Sequence, residues 1–122
     1  MRNERSALIL AQSDRLRNSL LVLLRAIPQL DHISAEKRLL AAPAGTYSHS
    51  PELVVLDCDG ASPQLLLQLV QLRACWPQTR LIALVDHEME QHAVQDAGAD
   101  VALIKGVLAA RLLTTIETLL DE

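Results

Sequence analysis

An α/β fold, a doubly wound five-stranded parallel sheet with helices on both faces, is predicted by three observations. Five short runs of β character recur along the chain, at residues 7–11, 32–35, 53–56, 81–85 and 101–104. Stretches with apolar residues at helical spacing follow them, so the order reads as a βα unit repeated five times, (βα)5. The clearest run, Leu53-Val-Val-Leu56, is continuous rather than alternating, as expected of a strand covered by helices on both faces. The 122 residues are read as one domain, 1–122, long enough to bury roughly two thirds of the unfolded surface.

Each element has a local reason. Residues 7–11, Ala-Leu-Ile-Leu-Ala, form the first strand, and Ser13 or Asp14 caps a helix whose Leu16, Leu20, Leu23, Leu24 and Ile27 share one face until Pro28 stops it. A weaker strand at 32–35 leads to a short helix over 36–42, which Pro43 and Gly45 end before the polar loop 46–50. After the strand at 53–56, Ser62-Pro63 supplies a cap and first turn for a Leu-rich helix ending near Trp76-Pro77. The strand at 81–85 is followed by a helix opened by Asp86 or His87, with Glu88 and Glu90 at its positive end and Gly98 closing it. The strand at 101–104 precedes the last helix, 107–120. In an open α/β sheet the ligand crevice lies beyond the carboxyl ends of the strands, which gathers Gln12, Ser13, Asp14, Asp57, Cys58, Val85, Asp86 and Lys105.

Composition excludes several functions. With no Phe, one Trp and one Tyr, the core is aliphatic and stacking on bases or flavins is poorly supplied. A net charge of −4 with dispersed basic residues argues against direct nucleic-acid binding. Cys58 and Cys75 have no metal-ligand spacing and read as structural free thiols of a reducing compartment. The apolar run at 7–11 is too short for a signal peptide or a membrane span, so a cytoplasmic protein without membrane association is expected. His87 and His92 stand five apart rather than four, which argues against a zinc helix. The turn Ala11-Gln-Ser-Asp14 lacks the glycines that admit a dinucleotide.

Three stretches, Pro51-Glu-Leu-Val-Val-Leu-Asp57, Ala97-Gly-Ala-Asp100 and the strand ending at Lys105, carry a resemblance through their order and spacing. Over essentially its whole length the chain resembles the receiver domain of bacterial two-component response regulators, a flavodoxin-like fold. The resemblance implies that Asp57 occupies the phosphoacceptor position and Lys105 the position that contacts the phosphoryl group. It also shows what is altered. The acidic pair that holds Mg²⁺ in that family is matched by Gln12 and Ser13, with Asp14 next in sequence. The hydroxyl residue of the fourth strand is matched by Val85, and the aromatic ring that reports activation by Ala102. Gly106 stands where a Pro commonly follows the Lys, and Cys58-Asp59-Gly60-Ala61-Ser62 replaces a Pro-containing loop.

Charge counting connects these changes. Three carboxylates and one Lys leave −2 for a divalent cation to balance, whereas Asp57 and Lys105 alone sum to zero. Without the cation, charge developing on a transferring phosphoryl group is not neutralised. The pair therefore reads as a vestigial ion pair, and the resemblance implies a pseudo-receiver in signal transduction, not an enzyme, without cofactor, acting by protein contact. One alternative is a phosphorylatable receiver or phosphorelay component using Asp57, with Mg²⁺ on the weak candidates Asp14 and Asp57. Another is a small Mg²⁺-dependent phosphatase, since Asp57-Cys-Asp59 resembles the first motif of haloacid-dehalogenase-like enzymes; Ala61 and Val85 depart from that family's pattern. A redox role for Cys58 requires Lys105 to lower its pKa.

The leucine surplus suggests a partner. Leu21 and Val22 exceed the core stripe of the first helix, and Leu108, Leu112, Leu113, Ile116, Leu119 and Leu120 make a wide apolar arc on the last. The resemblance makes these helices neighbours. Leu21, Leu108, Leu112, Ile116 and Leu119 are thus candidates for a homodimer or partner interface, the plainer reading being that the extra Leu packs locally.

Overall fold

The computed structural model describes residues 5–37, 50–58, 62–106 and 109–121. Its five strands are β1 (Ser6–Leu10), β2 (His32–Glu36), β3 (Leu53–Cys58), β4 (Arg80–Val85) and β5 (Val101–Ile104). They form one parallel sheet in the order β2-β1-β3-β4-β5. Among the described residues the helices are α1 (Asp14–Arg25), α2 (Pro63–Cys75), α3 (Glu88–Asp96) and α4 (Ala109–Leu120). The strand order reverses between β1 and β3, which opens a crevice above their carboxyl ends.

Alternation along the strands divides the core into two layers. Leu53 and Val55 of β3 pack with Ile9, Leu20, Leu24, Leu112 and Ile116 on the face covered by α1 and α4. Val54 and Leu56 point the other way, into a layer with Leu8, Leu69, Leu72, Trp76 and Val94 under α2 and α3. A sheet buried on both sides is why these strands read as unbroken apolar runs.

The caps form as their residue types require. Ser13 Oγ accepts from Leu16 N at 3.2 Å and Ser62 Oγ from Leu65 N at 3.2 Å, with Pro63 opening α2. Glu90 Oε1 accepts from His87 N at 3.0 Å and Asp86 N at 3.1 Å, so the start of α3 is tied to the end of β4. The stretch Ala97-Gly-Ala-Asp100 has a structural purpose as well. Arg73 of α2 donates to Gly98 O through Nε and Nη2 (3.2 and 2.8 Å) and to the carbonyls of Pro77 and Thr79 (3.0 and 2.7 Å), while Nη2 also meets Asp100 Oδ2 at 2.8 Å. Gly98 has φ 129°, and a Cβ there would lie 3.1 Å from Arg73 Cβ, so glycine is needed for both the turn and the approach.

Two expectations are corrected. Glu36, expected to begin a helix over 36–42, is instead the last residue of β2, paired with Leu10; residues 38–42 and the loop 46–49 lie outside the described residues. Leu112 and Ile116, offered as interface contacts, are 4% and 0% exposed. They are core residues because α4 packs on both the sheet and α1, which takes a wider apolar arc than one contact does. Leu21 and Leu119 are half-buried against the same core, and Leu108 lies outside the described residues. Among the described residues the large apolar side chains that do face solvent are Val22 on α1, Leu67 and Val70 on α2, and Met89 on α3.

Candidate functional site

Asp57 is the penultimate residue of β3, and Lys105 directly follows β5, two strands away. Lys105 N donates to Val85 O at 2.6 Å, which continues the β4–β5 ladder and aims the side chain back across the strand ends. Lys105 Nζ stands 2.6 Å from Asp57 Oδ1 and 3.2 Å from Asp86 Oδ1. Asp57 Oδ1 is buried, and the Lys105 ammonium at 2.6 Å is the group that compensates its charge. Burial alone would pull the Lys105 ammonium down, but Asp57 and then Asp86 outweigh it and hold it above the ordinary lysine value.

Asp86 changes the charge count. Asp57 and Lys105 were expected to sum to zero, whereas the group of Asp57, Asp86 and Lys105 sums to −1. Mg²⁺ takes hard oxygen ligands in octahedral array. The carboxylate of Asp57 is already held by the lysine, and no group of three His, Cys, Asp or Glu among the described residues could hold a metal. Asp14 does not fill the gap. Its exposed carboxylate pairs with Arg17, whose hydrogen bond and charge, with the charge of Lys37, hold it below the usual range. Arg17 in turn donates to Ala11 O at 2.9 Å, so the Asp14 pair is anchored on the β1–α1 turn.

The other departures from the receiver pattern fall into two settings. Gln12 and Ser13 are exposed in the β1–α1 turn, with Ser13 Oγ committed to the cap. Val85 and Ala102 are core residues on the α2 and α3 side of the sheet. Gln91 Nε2 donates to Ala102 O at 2.8 Å, tying α3 to the edge strand β5. Cys58, also in that layer, has its thiol pushed up to about 12, first by burial and then by the Asp57 charge, with Lys105 only partly opposing them. That removes the basis for redox sensing at Cys58. Cys75 is exposed at the end of α2 and does not fill the core, contrary to the structural reading of both thiols.

A cleft of about 350 Å³ opens on the other side of Asp57 from Lys105. Gln12 and Ser13 form one wall, and Ser62, Gln64, Leu65 and Gln68 the other. Sequence reasoning gathered Gln12, Ser13 and Asp57 there but missed the three α2 residues after the cap. Gln64 and Gln68 at i, i+4 on a helix that starts at the crevice were the available signal. Asp59, the second acid of the phosphatase-like motif, lies outside the described residues. His87 and His92 are both exposed, and His92 faces Asp96 at 3.5 Å.

No protein-family model matches the chain, and no curated protein matches it. Solved structures do. A CheY-like response regulator from Mesorhizobium loti superimposes with a TM-score of 0.74 at 21% identity, covering 96% of this chain and 99% of that one. A response regulator from Thermotoga maritima gives 0.82 at 15% identity, covering 98% and 100%. The signal receiver domain of a DNA-binding response regulator from Colwellia psychrerythraea gives 0.78 at 18% identity, covering 98% and 100%. The chain therefore has the receiver fold, five parallel strands in flavodoxin-like order; at these identities it is the fold that is shared.

Proposed function

We propose that the chain is a pseudo-receiver, a cytoplasmic signalling module that acts by protein contact, catalyses no reaction and is not switched by phosphorylation of Asp57. The observation that carries this reading is the engagement of Lys105 by both Asp57 and Asp86, with neutral Gln12 and Ser13 on the side where a cation would be held. Phosphoryl transfer to Asp57 would place new negative charge beside Asp86 with one lysine and no divalent ion to balance it. Val85 and Ala102 have neither the hydroxyl nor the ring that would report such an event.

The contact surface proposed for it is the seam of α1 and α4. A small apolar depression of about 170 Å³ lies there, with Leu16, Leu20 and Leu23 on one side and Ala109 and Leu112 on the other, and exposed Val22 on the same helix. A second copy or a partner helix with one aliphatic anchor fits that depression. A phosphorylatable receiver is the second reading, favoured by the close approach of Asp57 and Lys105. Incubation with Mg²⁺ and acetyl phosphate separates the two. Unchanged intact mass supports the pseudo-receiver, and an adduct removed by Asp57→Asn rejects it.

A further inference from the structure

We infer that the cleft between the β1–α1 turn and α2 binds a small uncharged polyhydroxylated molecule, about the size of one sugar ring, in place of a cation and phosphoryl group. The inference rests on the reading of Asp57 as a site without phosphoryl chemistry. Three features of the cleft lead to it.

The first is charge. Asp57, Asp86 and Lys105 sum to −1. Both α1 and α2 begin at the cleft, at Ser13 and Ser62, and each helix start carries about +0.5 of partial charge. Among the described residues the total is near zero. A divalent cation meets one carboxylate already held by Lys105, and a phosphate meets that carboxylate's charge. Neither ion is favoured over a neutral occupant.

The second feature is hydrogen bonding. Gln64 and Gln68 lie one turn apart on α2 and face Gln12 across the cleft, and none of these amides is engaged by another described residue. Each offers two donors and one acceptor, and Asp57 offers acceptors alone. Ser13 and Ser62 use their oxygens as cap acceptors but keep their hydroxyl hydrogens for donation. A ligand rich in hydroxyl groups can donate to Asp57 while exchanging bonds with the amides. A ligand with acceptors alone cannot.

The third is size. A volume of about 350 Å³ lies at the low end for small-molecule pockets, and Leu65 is the apolar side chain that the described lining offers to a carbon skeleton. Such a ligand would bridge α1 and α2, which otherwise meet only through the sheet, and so give this crevice an input that needs no phosphate.

The test uses the ¹⁵N-labelled full chain and follows the side-chain amide signals of Gln12, Gln64 and Gln68. Glucose, myo-inositol, magnesium chloride and inorganic phosphate are added separately. Glucose or myo-inositol is expected to shift these signals saturably, with a dissociation constant on the order of 1 mM. The shifts should vanish in Gln68→Leu and in Gln12→Leu, each with an otherwise native spectrum; Gln12 is exposed in a turn, so at least that variant keeps its fold. No shift from either uncharged probe, shifts from magnesium or phosphate alone, or shifts that survive both substitutions would each overturn the inference. The acetyl phosphate experiment stands apart from it. An adduct there defeats the underlying reading, whereas no adduct and no polyol binding defeats this inference alone.

Discussion

Replacing Lys105 by Met keeps the length and apolar stem of the side chain but removes the cation between Asp57 and Asp86. The three side chains are 24%, 9% and 34% exposed for Lys105, Asp57 and Asp86, so solvent screens them only in part. Removing one partner of a fully buried pair costs about 3–5 kcal/mol; partial exposure lowers that here to about 2–3 kcal/mol. With unfolding entropy near 2.1 cal/mol/K per residue over 122 residues, 1 kcal/mol corresponds to about 4 °C. Lys105→Met should therefore lower Tm by about 8–12 °C at pH 7, followed by far-ultraviolet circular dichroism. Asp57→Asn should cost only about 1 kcal/mol, since Lys105 keeps Asp86. The double variant should recover most of the loss, because Asp86 is then no longer opposed by a second carboxylate. Lys105 sits above its ordinary value in the folded chain, so its stabilisation is complete below the unfolded lysine pKa of about 10.4 and disappears as pH rises through the higher folded value. The gap between the native chain and Lys105→Met should accordingly be constant from neutral pH to about 10 and close above it. A loss below about 0.5 kcal/mol, or a double variant no more stable than Lys105→Met, would refute the view that these charges form one structural unit.

Three further outcomes follow from the same geometry. Arg73→Lys should destabilise by about 2 kcal/mol in urea titration, because one ammonium cannot serve Gly98, Pro77, Thr79 and Asp100 at once. Native protein at pH 8 should release one equivalent of thiol to Ellman's reagent promptly, from exposed Cys75, while Cys58 reacts only on unfolding; prompt reaction of both would contradict the burial of Cys58. The double substitution Gln12→Asp with Ser13→Asp should raise Mg²⁺ affinity measurably over that of the native chain by calorimetry, and should cost about 1 kcal/mol through the changed cap and added repulsion.

Much of this molecule is legible from local signals. The continuous run 53–56 becomes the central strand because both its faces are buried, and Ser62-Pro63 starts α2 because a cap and a fixed φ act within one turn. Asp57 and Lys105 could be paired because strand ends in a parallel sheet converge at one edge. What escaped depends on side chains reaching across the fold. Asp86 was placed in the crevice but not counted, since only the path of the Lys105 side chain makes it a partner. Arg73 reaches Gly98 and Asp100 from 25 and 27 residues away, and nothing in its helix distinguishes it from a solvated arginine. The leucines of α4 misled for a related reason. The width of an apolar arc gives the area to be covered but not whether a second helix or another molecule covers it.

The residues that depart from the receiver pattern differ in what they mean for the fold. Gln12 and Ser13 lie exposed in a turn, where exchanging carboxylates for neutral side chains removes mutual repulsion at little structural cost. Val85 and Ala102 are buried, and a hydroxyl at the first position would have to find a hydrogen-bond partner or carry a desolvation penalty of about 1–3 kcal/mol. An apolar side chain there strengthens the layer shared with Leu56, Cys58 and Val94. The side chains at these four positions are thus neutral or favourable for folding. Lys105 is different, because removing it leaves the shielded carboxylates of Asp57 and Asp86 without a counter-charge. Stability by itself therefore favours a cation at position 105, between two carboxylates at the strand ends, whatever chemistry the crevice carries.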